Sequence, residues 1–523
     1  HPLMPCFQAT RAAGATVREI VLGPLAIGDV AALISDALHC KAPLSRFARL
    51  VYEQTAGNPF FTIQLLGALE EERILTYDAT SEAWVADLDR MRAKGYTDNV
   101  VDLMIGKLAR LPEETQERVK QLACLGSSAG FSTLGRIFGP SLEALHASLW
   151  HAVRDGLLLK RETSYAFAHD RVQEAAYSLI PQERRPQVHL RIGRALLPGM
   201  HADEVIDVVD QLNRGAALLT DAAERRRLAE MNLQAGRKAK SSTAYASACT
   251  YLTAGMAMLD EDAWDRCYEL TFALWLERAE SEYLSGNFDL AGVLIATLLA
   301  RGASNIDRAA AWRLKIDLHV LRMEYPQAVA SALDCLRLFG IDIPAHPRDD
   351  EIDVEFEKFW RRLGDRPIED LLELGTMADP QMQAAMEVLA VLYAPAVFTD
   401  SNLVHLHLCH MVNMTLEHGT SPASAHGYAW FGVVVGTRVG RYMDGYRFGK
   451  LACDLVARHD LAAYQAKVSF STEMTALWAQ PVTTALHHIR VAHRAAVEGG
   501  DLTIACYSCN HTVADLLLRG GHL

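Results

Sequence analysis

The sequence predicts a mainly α-helical protein. Apolar residues recur at helical spacing along most of its 523 residues, and beyond His169 almost no strand signal interrupts this pattern. A single hydrophobic core rarely grows beyond ~250–300 residues, so a chain of this length must contain several domains. Changes of pattern along the chain place them at residues 1–95, 96–182 and 183–523.

Composition and charge exclude several classes of protein. Half of the residues are apolar and 22% are charged, which is the profile of a chain with packed cores. The net charge of −13 is spread along the chain without a basic arm, so nucleic acid is not expected as a partner. The longest nearly apolar run, residues 388–398, is far shorter than the ~20 residues of a membrane-spanning helix, so no membrane is expected either.

The cysteines indicate where in the cell the protein is located, and the chain ends indicate whether the sequence is part of a longer protein. The ten cysteines are scattered through helical patterns instead of forming a dense disulfide framework, and no signal segment opens the chain. A cytoplasmic location is therefore predicted. The chain begins at His1, and residues 520–523 close no recognisable element, so the sequence is expected to be a piece of a longer protein.

The first part, residues 1–95, is predicted to begin with a strand and to continue as helices. A β-like run at residues 16–22 precedes amphipathic stretches at 27–38 and 44–52. Residues 74–85 have two short β-like runs separated by a small, polar turn, which predicts a hairpin.

The clearest helix start in this part is the step Gly57-Asn58-Pro59-Phe60. Asn58 can accept hydrogen bonds from the N–H groups of the first turn, and Pro59 fits the first helical position, where its missing N–H costs nothing. The step is either only a capped helix start or also the edge of a nucleotide site. Gly57, Asn58 and Pro59 are therefore the candidate site residues.

Residues 96–182 are predicted to form three helices followed by a two-stranded wing, at 157–160 and 165–167. This order is typical of a winged-helix domain, whose third helix, here 142–154, could read DNA. A module that packs against protein is the favoured interpretation. The predicted helix starts are Thr97 or Asp98, Pro112 and Ser141.

The last part, residues 183–523, shows a recurring turn between paired helices. An aromatic residue followed three positions later by alanine occurs at Tyr245, Phe288 and Tyr325, at intervals of 43 and 37 residues. Small residues let paired helices approach and aromatic residues fill the gaps, as in tetratricopeptide repeats. The pattern predicts a helical superhelix, with further copies at Tyr442 and near residues 481–485.

No catalytic residue is predicted. The phosphate-binding loop G-x-x-x-x-G-K-[ST] is absent, because both Gly-Lys pairs, which begin at Gly106 and Gly449, are followed by leucine within helical patterns. The order His169-Asp170-Arg171 does not fit the catalytic loop of a kinase, and Asp170 is expected to cap a helix.

Two groups of residues have the types of metal ligands, but no metal site is predicted at either. The histidines and the cysteine within residues 405–410 are dense, yet at helical spacing they lie on different faces. Cys506 and Cys509 form one CxxC pair without the second pair of a zinc ribbon. Buried cysteine is common in helical repeats, which is the simpler interpretation.

The order of the parts resembles that of the signal transduction ATPases with numerous domains, called STAND proteins. The chain is more similar still to the central region of a bacterial multidomain family whose members combine a serine/threonine kinase, an ATP-binding domain and a sensor histidine kinase. The resemblance covers nearly the whole chain. The segments that carry it are AKGYTDNVVDLMIGKLARLP (93–112), LACLG (122–126), AFAHDRVQEAAYSLIP (166–181), DQLNRGA (210–216), AGRKAKSSTAYASA (235–248) and GIDIPAHP (340–347).

The resemblance implies that the chain holds the end of an NTPase domain with its helical lid, a winged helix and then a tetratricopeptide-like superhelix. In such NTPases the lid proline contacts adenine or packs beside it. This role transfers to Pro59, with Gly57 and Asn58 as the other members of the motif. ATP or ADP is expected only in the full-length protein, which would supply the phosphate-binding loop, and a role for Mg²⁺ is left open.

Three functions follow as hypotheses. In the first, the chain is a regulatory, non-catalytic segment of a protein kinase that acts on serine/threonine, histidine or both. It relays the nucleotide state of an upstream NTPase core and binds a protein or a small-molecule signal on its repeats. In the second, it belongs to an ATP-dependent transcription regulator with a DNA-binding domain beyond Leu523. In the third, it is a scaffold with a decayed NTPase.

Overall fold

The computed structural model divides the chain into two compact units, residues 1–220 and 221–523. It describes residues 10–11, 18, 20, 22–39, 45–79, 83–94, 100–139 and 141–520. Helices make up most of these residues, which confirms the predicted mainly α fold class. The predicted strand at 16–22 falls largely outside the described residues, as do the predicted caps Thr97 and Asp98.

The first unit contains helices and short antiparallel strands. Its helices are α1 (Ile27–Ala37), α2 (Ser45–Thr55), α3 (Pro59–Glu71), α4 (Leu88–Lys94), α5 (Val100–Ala109), α6 (Glu113–Leu125), α7 (Phe131–Phe138), α8 (Leu142–Arg154), α9 (Asp170–Ser178), α10 (Arg185–Leu196) and α11 (Val205–Arg214). Its strands are β1 (Leu75–Asp78), β2 (Ala83–Ala86), β3 (Ser128–Gly130), β4 (Leu158–Lys160) and β5 (Ser164–Phe167).

Both predicted hairpins are present. Strands β1 and β2 pair antiparallel with Leu75 opposite Ala86, and β4 pairs antiparallel with β5. A third strand, β3, occupies the other edge of β5 and gives the order β3-β5-β4. The sequence analysis missed β3 because Ser128, Ala129 and Gly130 have no intrinsic strand preference. Their extended conformation comes from pairing with β5.

Two apolar cores can be followed among the described residues of the first unit. One lies among α1, α2, α3 and the β1–β2 hairpin and includes the fully buried Val51 and Leu65. The other lies among α5, α6, α8 and α9 and includes Leu149 and Val172. Leu103, on α5, packs against both cores, so the helix that begins at Pro59 and the helices that follow it share apolar contacts.

The second unit consists of helices. They are α12 (Ala222–Ser241), α13 (Tyr245–Ala257), α14 (Ala263–Arg266), α15 (Tyr268–Leu284), α16 (Phe288–Arg301), α17 (Asn305–Leu321), α18 (Tyr325–Arg337), α19 (Asp349–Leu363), α20 (Pro380–Val397), α21 (Ser401–His418), α22 (Pro422–Val439), α23 (Tyr442–His459), α24 (Ala462–Ala479), α25 (Val482–Gly499) and α26 (Leu502–Leu518). Most neighbours along the chain pack on each other as pairs, and the short connections make these pairs antiparallel.

The first helices of successive pairs also pack on one another. This first-helix layer comprises α12, α15, α17, α20, α22, α24 and α26. Its last four members begin at intervals of 42, 40 and 40 residues, close to the period of the earlier pairs. The rhythm breaks between residues 338 and 379, where α19 lies outside the layer and packs on α21.

One backbone turn recurs between neighbouring helices of this unit, within four of the pairs and twice between successive pairs. A left-handed residue, with φ between 52° and 84°, is followed by a residue with φ near −85°, and the next helix then begins. The left-handed residues are Thr243, Gly286, Met323, Gly440, Asp460 and Gly500. In five of the six turns, the N–H of the following residue donates to the carbonyl five residues earlier at 2.8–3.0 Å.

The predicted repeat positions match this turn with one exception. Tyr245, Phe288, Tyr325 and Tyr442 each begin the second helix of a pair, and the alanines three residues after the first three aromatics are fully buried. The copy predicted near residues 481–485 is present as a helix pair, α24 and α25, with the fully buried Ala485 three residues after the helix start, but its turn differs. There Pro481 is extended and follows another extended residue, so the left-handed step is missing.

Thr243 gives a test of this turn. A β-branched residue in the left-handed region destabilises the folded state by about 1–2 kcal/mol. Replacing it by glycine removes this strain, but glycine has more conformational freedom in the unfolded state, which offsets part of the gain. Thr243→Gly is therefore expected to raise the free energy of unfolding by about 0.5–1 kcal/mol in a urea titration followed by circular dichroism. The control Thr253→Gly, inside α13, is expected to lower it by roughly 0.5 kcal/mol. Equal losses in both variants would contradict the left-handed assignment.

Candidate functional site

The predicted helix start at residues 57–60 is present in full. The Asn58 side chain accepts a hydrogen bond from the Phe61 N–H at 3.0 Å, and Pro59 is the first residue of α3. The Asn58 carbonyl also accepts from the Thr62 hydroxyl at 2.9 Å. Both Asn58 and Pro59 are exposed, so their side chains are accessible to another molecule.

Gly57 is required by the backbone at this position. Its φ of 74° lies in the left-handed region, and a Cβ here would overlap the carbonyl oxygen of Leu25. The Leu25 N–H donates to the Gly57 carbonyl at 2.9 Å, so the close approach is itself a hydrogen-bonded contact. All three motif residues thus have a local structural role, and their contact with adenine stays a prediction.

Three contacts tie α3 to the helices that follow it. The Phe60 ring stacks on the His169 ring at 4.3 Å between centroids, with 15° between the planes. The Lys107 ammonium donates to the Gln64 amide oxygen at 2.9 Å, and burial lowers the pKa of Lys107. Arg110 bridges two carboxylates at the end of α3, those of Glu71 and Glu72. A movement of α3 would therefore be passed to α5 and α9.

His169, rather than Asp170, caps α9. The His169 Nδ1 accepts the N–H of Arg171 at 3.1 Å, and Asp170 is the first residue of the helix. The predicted cap was wrong because an imidazole rarely takes this position, whereas aspartate often does. The stacking of Phe60 on the ring holds it in the orientation that capping needs.

Of His146, His151 and Arg154, the side chains with which α8 could read DNA, two make contacts within the protein. The His146 Nδ1 lies 2.7 Å from the Tyr165 hydroxyl on β5, and the Arg154 guanidinium pairs with Asp155 at 2.8 Å. The exposed side chains of this helix include the apolar Leu142 and Trp150 beside the charged Glu143 and Arg154. The two apolar side chains are suited to packing against protein.

A buried group of aromatic and imidazole rings lies in the first-helix layer and on α21. The Tyr393 ring lies 4.2 Å from Trp430 and 5.4 Å from His426, and His407 is 6.1 Å away. Among the described residues, neither nitrogen of His426 nor Nε2 of His407 has a hydrogen-bond partner. Burial lowers the pKa of His407 to about 4 and that of His426 well below its usual value, with Lys467 adding repulsion at His426.

The residues examined as metal ligands do not converge. His407 is buried and its Nδ1–H donates to the Leu403 carbonyl at 2.9 Å, whereas Cys506 and Cys509 are exposed free thiols. Across the described ranges, no three His, Cys, Asp or Glu side chains come together in an arrangement that could hold a metal ion. Within the same ranges, no helix is both long and apolar enough to cross a bilayer.

Comparison with known proteins finds relatives among histidine kinases. The chain is 23% identical to the hybrid signal transduction histidine kinase G of Dictyostelium discoideum over 96% of its own length. It is 20% identical to the peroxide stress-activated histidine kinase mak3 of Schizosaccharomyces pombe over 75% of its length. It spans 17% of each relative. No family model matches the chain.

A solved structure gives a weaker match. It is that of a STAND protein with a tetratricopeptide repeat sensor from Pyrococcus horikoshii. The sequence identity is 14% and the TM-score 0.35, with 95% of this chain and 70% of the other aligned. A TM-score this low does not define a shared fold, so the helix pairs described above are the evidence for the repeat architecture.

Replacing Gly57 tests the local geometry of the helix start. Gly57→Ala is expected to lower the free energy of unfolding by about 2 kcal/mol or more, because the Cβ is disfavoured at this φ and overlaps Leu25. The matched control is Gly28→Ala in α1, where a Cβ meets no atom within 4 Å. Thermal unfolding of both variants is the measurement, and equal stability of the two would contradict the close contact.

The buried imidazoles predict a loss of stability in acid. The unfolded His407 binds a proton near pH 6.5 and the native one near pH 4, so the unfolded state binds more protons in between. Stability is therefore lost as the pH falls from about 6.5 to about 4, by roughly 3 kcal/mol for this group. In urea titrations across this range, His407→Gln is expected to reduce the slope, whereas His418→Gln, at the exposed end of the same helix, leaves it unchanged.

Proposed function

We propose that the chain is a regulatory, sensory segment of a larger signal-transduction ATPase-kinase and performs no catalysis of its own. The observation that carries this proposal is its similarity, over 96% of its length, to a hybrid signal transduction histidine kinase of which it spans only 17%. A region of this kind lies within a kinase without containing a kinase motif or a phosphate-binding loop. Control of the kinase, rather than phosphoryl transfer, is the role that fits such a region.

The arrangement of the first unit supports a nucleotide lid followed by a winged helix. From α6 onward the order is helix, strand, two helices and two strands, with the sheet order β3-β5-β4. This is the element order of a winged-helix domain, and its packing against α3 supports a protein-binding rather than a DNA-reading use. The exposed Pro59 at the start of α3 would meet the adenine of ATP or ADP held by an upstream NTPase core.

The relay would use the contacts of α3. Closure of the lid over adenine would move α3, and the Phe60–His169 stack and the Lys107–Gln64 hydrogen bond would carry the movement into α9 and α5. The helix pairs of residues 221–523 would bind the signal, a protein or a small molecule, on the first-helix layer. Binding would bias the switch only to the extent that it favours one of the two lid positions.

The family resemblance adds a bacterial origin and a serine/threonine kinase domain in the same protein to the proposal, and the scattered cysteines add a cytoplasmic location. The two relatives are from Dictyostelium discoideum and Schizosaccharomyces pombe. A segment of an ATP-dependent transcription regulator is the alternative. Both relatives are named as histidine kinases, which favours the first proposal.

Two substitutions in the full-length protein separate the lid from the relay. Pro59→Ala is expected to weaken ATP binding about fivefold, equivalent to ~1 kcal/mol of lost apolar contact, while the exposed Pro112→Ala leaves the Kd unchanged. Phe60→Ala is expected to leave ATP affinity intact and to reduce the effect of ATP on autophosphorylation. The measurements are calorimetry for ATP and phosphate incorporation for the kinase.

Each substitution tests one part of the proposal, and either result can contradict its part without affecting the other. Unchanged ATP affinity in Pro59→Ala would contradict the adenine contact at the lid. Unchanged coupling in Phe60→Ala would contradict the relay through α9. A kinase whose phosphorylation is the same with and without residues 221–523 would contradict the sensory role.

A further inference from the structure

A cavity of about 130 Å³ lies in the first-helix layer, between α22, α24 and α26. Two glycines of α22, Gly432 and Gly436, contribute to one wall. Gly432 also meets Gly445 of α23 so closely that a Cβ on either would overlap the carbonyl oxygen of the other. The wall is therefore backbone fixed by a close helix crossing.

The cavity contains a buried carboxylate. Glu473, on α24, lines it and is only 1% exposed. One of its oxygens lies 2.9 Å from the Nδ1 of His511, which also lines the cavity, and this contact raises the pKa of His511. Asp515, one turn further along α26 and 1% exposed, has a carboxylate oxygen without a hydrogen-bond partner among the described residues.

A second carboxyl group lies beside this pair. Glu473, Asp515 and the imidazole of His511 are the titratable groups that interact at the site. Burial, the nearby Glu473 and a hydrogen bond to its side chain raise the pKa of Asp515 to about 6. Of the two carboxyl groups, Glu473 is the one that lines the cavity and can meet a ligand.

Aromatic rings complete the cavity. Tyr442 and Trp478 both line it, with ring centroids 5.8 Å apart and planes at 31°. Trp478 is 70% exposed, so this side is open to solvent and gives access to a ligand. Aromatic faces attract organic cations, and a cavity of about 150 Å³ holds a molecule the size of benzene. The remaining walls are apolar or hydroxyl groups, including Met474 and Thr437.

We propose that this cavity binds a small organic ammonium ion, with its cationic head between Glu473 and the rings of Tyr442 and Trp478. The assignment rests on the sensory role proposed above and gives it a ligand class. An organic cation fits better than a metal ion because the three acidic and imidazole groups do not form a metal-binding arrangement within the described residues, whereas aromatic walls contribute to binding an alkylated cation.

Choline and its uncharged isostere test the site. Isothermal titration calorimetry of choline into this chain, at constant ionic strength, is expected to show one binding site, and 3,3-dimethyl-1-butanol is expected to bind at least tenfold more weakly. Glu473→Gln keeps the shape and is expected to weaken choline binding at least tenfold. Trp478→Leu, at an exposed position, is expected to weaken it about fivefold. Trp150→Leu, an exposed tryptophan on α8 that does not line the cavity, is the matched control.

Several outcomes would overturn the proposal. They are the absence of binding heat at 20 mM choline, equal binding of the alcohol, or the same Kd in Trp478→Leu as in Trp150→Leu. The Trp478 comparison decides even if Glu473→Gln does not fold. Choline that binds here but leaves the phosphorylation of the full-length protein unchanged would support the site and contradict the sensory role. If choline does not bind, the proposed site is wrong, and the sensory role of the chain would depend on another ligand.

Discussion

Four helix pairs of residues 221–523 depend on one backbone constraint: after the first helix a residue adopts the left-handed conformation, at Thr243, Gly286, Met323 and Gly440, so the chain reverses within three residues. The next helix then starts close enough that only a small side chain fits at its fourth position, which is alanine at Ala248, Ala291 and Ala328. The aromatic at the first position fills the space beside the turn. Because each pair is set by its own turn, the layer of first helices follows from repetition, and local contacts determine most of the architecture.

The first unit depends on a different close approach. Gly57 brings the backbone of residues 57–58 against Leu25, which fixes where α3 begins and in which direction Phe60 points. The same few residues therefore set the exposed position of Pro59 and the buried contact with His169. One helix start would thus position both the residue that meets the nucleotide and the residue that contacts the following helices.

The sequence predicted the features whose causes are local. The cap at Asn58, the proline at the first helical position and the aromatic–alanine turns could be found because each is determined by neighbouring residues. Strand β3 could not, since its three residues are extended only because β5 pairs with them. The Glu473–His511 contact joins residues 38 positions apart on stacked helices, and no spacing rule points to it. A glutamate in the middle of an otherwise apolar and hydroxyl-bearing stretch of α24 was the one available signal.

The glycine crossing between α22 and α23 limits how the second unit can respond to a ligand. At Gly432 and Gly445 the two backbones touch without intervening side chains. The two helices therefore cannot approach each other any further. The cavity beside it is lined by α22, α24 and α26. If these helices adjust to a bound molecule, the movement would fall to α24 and α26, because α22 cannot approach α23 any further.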